Sequence, residues 1–246
     1  MINIVIPMAG EGSRFLKTGI TTPKPFIDVC DVVMIERVLE NLKVNNARYI
    51  LISRAEHLVS EKSAFERLRK KYNCEILIVD KLTEGAACTI LLSCWFINND
   101  EPLLLANSDQ IVEMDMGDFI HDSIERKLDG SILTFPASHP KWSYAKIDSN
   151  DHLVELREKE VISEHATVGI YYYQRGTDFV NSAIQMIANN DRVNNEFYTA
   201  PAYNYAVKRG LAIGIYEIEE SKMHGLGTPE DLKMYIEHFK STVKGK

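Results

Sequence analysis

The sequence predicts an α/β fold: a mostly parallel, twisted sheet with helices on both faces, followed by a smaller mixed-strand region. Three observations predict it. Short apolar runs alternate with amphipathic stripes of helical period through about the first 135 residues. Past that point the rhythm changes to short runs paired around turn-forming residues. Gly10, Gly85 and Asp109 each follow an apolar run, and sheets of this kind bind ligands beyond the carboxyl ends of their strands.

The elements follow in order. Residues 2–6 are an apolar run and read as a buried strand. Met34, Ile35, Val38, Leu39 and Leu42 form one helical stripe over 34–42. Residues 49–52 are a second strand, 58–72 an exposed helix, 75–79 a third strand, 86–96 a helix and 103–106 a fourth strand. Residues 119–128 are helical and 131–135 a strand. Runs 144–147 and 153–156 flank Ser149-Asn150-Asp151 and predict a hairpin. Residues 167–173 are a strand, 179–188 a helix, 203–208 a helix closed by Gly210, and 212–218 a strand. Thr228 caps a last helix over 230–239, opened by Pro229, and the Lys-rich tail 240–246 is expected to fray. No linker separates the halves. Residues 1–246 read as one domain in two halves, about 1–135 and about 136–246.

Composition bounds the function. A net charge of −7 argues against a nucleic-acid-binding face. No apolar run reaches the ~18 residues of a membrane helix, and the N-terminal run is too short for a signal peptide. Cys30, Cys74, Cys88 and Cys94 show no metal or redox spacing, which fits a reducing cytoplasm. Self-association stays open.

The richest stretch is Met8 to Phe15, followed by Thr22-Pro23-Lys24-Pro25. Two glycines within three residues let the chain turn tightly and present successive N–H groups, a nest for an anion. Arg14 can chelate phosphate oxygens, and Lys24, stiffened between prolines, can add a point charge. An ordinary turn is the alternative. The dinucleotide fingerprint lacks its third glycine, since Phe15 stands there, and the P-loop's Gly-Lys-Ser/Thr is absent. Asp109 in Asn107-Ser108-Asp109-Gln110 suits Mg2+, which takes few carboxylates and keeps waters; a turn or cap carboxylate is the alternative. Gly85-Ala86-Ala87 either lets a flat base approach the backbone or simply opens a helix with small residues. Arg157-Glu158-Lys159 on its own reads as a solvated charge run.

Gly10-x-Gly12-Ser13-Arg14 followed by Pro23-Lys24-Pro25 resembles the signature of the sugar-nucleotide pyrophosphorylases, the nucleoside-triphosphate transferase family. Further matches continue almost to the C-terminus. The glycine segment is more compressed than in the thymidylyltransferase branch, Ser13 replaces the usual threonine, and the chain is similar to capsule and lipopolysaccharide members. The resemblance implies a Rossmann-like, GT-A-like nucleotidyltransferase fold with a small acceptor lobe. It implies a reaction between a nucleoside triphosphate and a small phosphorylated acceptor, releasing pyrophosphate with Mg2+ as cofactor. Arg14, Lys24 and Asp109 become the catalytic set, with Asp109 the metal ligand. Ala9, Gly10, Gly12, Ser13, Gly85, Ala86 and Ser108 would contact the nucleotide. Tyr144, Glu158, Lys159, Gly169 and Glu196 would contact the acceptor. CTP is favoured over dTTP or UTP by analogy with capsule-locus enzymes. One departure stands out: where the thymidylyltransferase branch has a second metal-binding aspartate, this chain has Gly225, and the adjacent His224 is a poor ligand for Mg2+. That gap keeps a nucleotide-binding pseudoenzyme open, beside a GT-A-type glycosyltransferase, which would usually show Asp-x-Asp in place of Ser108-Asp109-Gln110.

Overall fold

A computed structural model describes residues 1–72 and 74–244. The first half holds β1 (Ile2–Pro7), α1 (Ser13–Leu16), α2 (Met34–Asn41), β2 (Ala47–Arg54), α3 (Ala55–Ser60), α4 (Lys62–Tyr72) and β3 (Glu75–Val79). It continues through α5 (Ala86–Leu91), α6 (Cys94–Ile97), β4 (Leu103–Ala106), β5 (Gln110–Val112), α7 (Met116–Glu125) and β6 (Gly130–Pro136). The second half holds β7 (Ser143–Ile147), β8 (Leu153–Glu158), β9 (His165–Tyr173), α8 (Gly176–Ala188) and α9 (Ala202–Lys208). The chain closes with β10 (Ile213–Glu217), β11 (Met223–Gly225) and α10 (Pro229–Lys244).

The main sheet runs β10-β6-β9-β4-β1-β2-β3. Along that path only β9 opposes the common direction, pairing antiparallel with both β4 and β6. β1 lies inside the sheet, with Val5 opposite Ile50 on one side and Leu105 on the other. Its apolar run follows from that position, because a central strand is covered on both faces. Ile4, Ile6 and Leu104 pack with Met34, Phe65 and Phe119 of α2, α4 and α7. Val5 and Leu105 pack with Ile90, Ile97, Phe179 and Tyr203 of α5, α6, α8 and α9. The chain order reverses between β1 and β4, the crevice where doubly wound sheets take ligands. The β7–β8 hairpin hangs from β9 through Tyr144 and Ala166, and β5 and β11 make a separate two-stranded ribbon.

Most expected elements are present, with shifted ends. The helix expected over 86–96 is broken into α5 and α6 at Ser93, whose Oγ donates to Ile90 O at 2.6 Å and competes with the helix ladder. The helix expected over 58–72 is likewise two, α3 and α4. Thr228 caps α10 as expected: its Oγ1 accepts from Asp231 N at 3.0 Å. α10 runs to Lys244, past the expected fraying point, and residues 245–246 lie outside the described residues. Among the described residues, no helix is long and apolar enough to cross a membrane.

Candidate active site

Two cavities, of about 540 and 600 Å3, open side by side beyond β1 and β4. Ala9, Gly10, Gly12, Ser13, Gly85, Ala86 and Ser108 line the first. Arg14, Glu158, Lys159, Gly169 and Glu196 line the second. Lys24, Asp109, Asn107 and Tyr198 line both, as do Gly12, Ser13, Ala86 and Glu196, so the two spaces meet along these residues.

Local chemistry explains the seam. Gly12 sits at φ 65°, and a Cβ there would lie 3.2 Å from Lys24 Cβ, so the glycine lets the two segments touch. Phe15 is buried in the core and holds α1 down while Ser13 and Arg14 stay exposed. Among the described residues, the amides of residues 10–14 donate to no backbone carbonyl, which leaves a run of N–H groups at the first cavity. Lys24 opens a single 3-10 turn with Pro25, and the next residue, Phe26, packs 5.0 Å from the Phe65 ring. That anchor aims Lys24 Nζ at Asp109 Oδ2, 2.8 Å away, with both side chains about one-fifth exposed.

Gly85 sits where it must, for a reason the sequence reading did not anticipate. Its φ is 131°, and a Cβ would fall 2.5 Å from both N and O of Phe197. Phe197 N donates to Glu84 O at 2.7 Å and Ala87 N donates to Phe197 O at 3.0 Å. The side of Gly85 where a side chain would stand is therefore covered by the 195–198 loop, which brings Glu196 and Tyr198 to the seam, while Gly85 itself lines the first cavity.

In the second cavity, β7 and β8 pair Ser143 opposite Glu158, and the Ser143 hydroxyl donates to the Glu158 carboxylate. Lys159 follows with φ 58°, a strained value for a residue with a side chain. Its Nζ donates to the Tyr198 hydroxyl and lies 4.6 Å from that ring's centroid. Gly169, at φ 95°, has no room for a side chain: a Cβ would meet Gln110 Oε1 at 2.1 Å and Asn107 Nδ2 at 2.3 Å. Tyr144 corrects one expectation. Strand alternation turns its ring away from the cavity into the core, where it is fully buried and its hydroxyl donates to His139 O at 2.7 Å. Its neighbours Trp142 and Ser143 line the cavity in its place.

Burial holds the Glu158 carboxyl above the usual glutamate range, and Glu196 pushes the same way, against the Ser143 hydroxyl and Lys159. The folded state then binds this proton more tightly than the unfolded chain. The group therefore subtracts stability as pH rises from the ordinary glutamate value through the raised one. Glu158→Gln is expected to melt higher than the parent chain near neutral pH, with the gain vanishing below the ordinary glutamate value. Thermal melts across that pH range check it; a gain independent of pH would contradict the assignment.

A model of the nucleotidyl transferase family matches residues 4–219. The chain belongs to the nucleotidyl transferase family. This transferase is 21% identical over 257 residues to the bifunctional protein GlmU of Methanococcus aeolicus, and spans 57% of that protein's length. Its fold matches the nucleoside-diphosphate-sugar pyrophosphorylase of Vibrio cholerae RC9 with a TM-score of 0.81, at 22% identity, covering 95% of this chain and 99% of that one. It also matches the inositol-1-phosphate CTP transferase of T. maritima with a TM-score of 0.74, at 14% identity, covering 98% and 96%.

Asn107, Gln110, Lys141, Tyr198 and Asp231 also line the second cavity, although residue type alone did not single them out. Asp231 matters most. A Cβ on Gly225 would lie 3.6 Å from Asp231 Oδ2, so the first turn of α10 brings a carboxylate back to the place where Gly225 left a gap. The available signal was an acid in the first helical turn shortly after that gap. His224 does not point here; neither cavity includes it, and it bonds to Glu113 instead. Asp109 and Asp231 both line the second cavity, and carboxylate oxygens of this kind are the hard donors that Mg2+ prefers.

Proposed function

We propose that the protein joins a nucleoside triphosphate, with CTP favoured over dTTP or UTP, to a small phosphorylated sugar or polyol. The products are an NDP-linked compound, for use in surface polysaccharide synthesis, and pyrophosphate. The observation that carries this reading is the pair of cavities meeting at Lys24 and Asp109. One cavity carries unpaired amides suited to a triphosphate, the other cations suited to a second phosphate. A phosphate oxygen of the acceptor attacks the α-phosphorus, the α–β bridging bond breaks, and pyrophosphate leaves. Lys24, on the seam, and Arg14, on the wall of the second cavity, offset the charge at the transferring phosphoryl group, while Lys159 and Lys141 draw in the acceptor phosphate. Two phosphoryl groups repel strongly in a partly dry cleft, which rationalises the gathered cations. Glu158 and Glu196 offer acceptors to hydroxyls of the incoming molecule. Asp109 and Asp231 would hold Mg2+, which supplies further neutralisation of the triphosphate when bound.

The Lys24–Asp109 contact keeps both groups compensated until a triphosphate competes for the ammonium. The CTP preference and the polysaccharide role rest on family analogy, because structural likeness at this identity speaks for the fold. A matrix of CTP, dTTP and UTP against sugar and polyol phosphates, read by pyrophosphate release, tests the proposal. Release from a triphosphate–acceptor pair supports it, with CTP ahead. Silence across the matrix, or turnover of a nucleotide sugar with release of a nucleoside diphosphate, overturns it.

A further inference from the structure

Outside both cavities, three segments bring metal-binding side chains together. Glu113 follows β5, His224 lies on β11 and His238 lies on α10. The ribbon positions the first two: His224 pairs with Ile111 in the β5–β11 register, and Glu113 N donates to Lys222 O at 2.8 Å. His238 comes seven residues after Asp231, two turns along α10, so it lies on the same stripe of that helix. His224 Nε2 and His238 Nε2 lie 2.9 and 2.6 Å from one and the same oxygen, Glu113 Oε1. The two imidazole rings stack with centroids 4.6 Å apart. All three ligand atoms lie within 4.8 Å of one another.

We propose that Glu113, His224 and His238 form a binding site for a borderline transition-metal dication of the zinc class, separate from the carboxylate site at Asp109. Two imidazole nitrogens and one carboxylate oxygen are a ligand set that zinc takes, with bonds of about 2.0–2.2 Å and a fourth position left to water. Ligand atoms at such bonds stand ~3.3 Å apart around a tetrahedron, so each imidazole nitrogen needs to move out from Glu113 Oε1 by less than about 1 Å to admit the ion. Imidazole selects this class over Mg2+, so the two sites discriminate by donor chemistry. The open side is available, since Glu113 and His238 are about half exposed. An ion here ties together the segment after Asp109, the strand ending at Gly225 and the helix carrying Asp231. It therefore braces one wall of the second cavity from behind.

The test uses the full chain, stripped with a chelator and titrated with Zn2+ by calorimetry in excess Mg2+, with Co2+ absorption spectra as a second readout. One ion per chain is expected, with tetrahedral Co2+ bands and a raised melting temperature. His238→Ala and Glu113→Gln, both at exposed positions, should each weaken Zn2+ binding by on the order of 100-fold or more and abolish the rise in melting temperature. Their metal-free melts report whether each variant is folded. Absence of a stoichiometric ion in the parent chain overturns the proposal, and so does uptake unchanged in both variants. Neither result bears on pyrophosphate release, so this inference fails or stands apart from the proposed activity.

Discussion

Lys24→Ala is expected to lower kcat for pyrophosphate release by about 10²–10³-fold, the cost of removing one preorganised charge from a developing anion. The ammonium stands at the seam of both cavities, 2.8 Å from Asp109, so it is placed to meet the phosphates where bonds change. The fold is expected to survive. Both partners are about one-fifth exposed, which puts the loss at roughly 1–2 kcal/mol, above a surface pair and below a fully buried one. Asp109→Ala should lose turnover on a similar scale for the complementary reason. Steady-state kinetics beside a thermal melt separates the two effects. Turnover at the parent rate in Lys24→Ala would remove the lysine from the chemistry.

Gly85→Ala is expected to have a large structural effect. The backbone there lies in a region that only glycine occupies readily, and the added methyl would meet Phe197 backbone atoms at 2.5 Å. No rotamer change relieves a clash with main chain. Strain and overpacking together should cost roughly 2–5 kcal/mol. The 195–198 loop would be pushed away from residues 84–87, carrying Glu196 and Tyr198 off the seam. The KM values for both substrates should therefore rise together. A variant with parent stability and parent KM values would show that the loop does not lean on Gly85.

Much of the fold was legible because two periodicities mark it. The run 2–6 is apolar at every position and occupies the middle of the sheet; Met34 to Leu42 shows one stripe and packs one face. Strand order was not legible. β9 enters antiparallel between β4 and β6 by pairing across more than sixty residues with β4, a choice made by tertiary packing. β5 and β11 have three residues each and leave no periodic trace. In the candidate site, the glycine turn, Lys24 and Asp109 announced themselves by residue type. Tyr144 shows the limit: a shift of one position along a strand moves a side chain from cavity to core. Asp231 shows another, since only the path of the chain from β11 into α10 returns it beside Gly225.

In the proposed reaction, two phosphorylated substrates occupy two adjoining cavities and meet at Lys24 and Asp109. Separate KM values for triphosphate and acceptor in Lys159→Ala test it most directly. Lys159 lines only the second cavity, so the acceptor KM should rise by about 10–100-fold while the triphosphate KM holds steady. A rise confined to the triphosphate, or an equal rise in both, would contradict the division of the site.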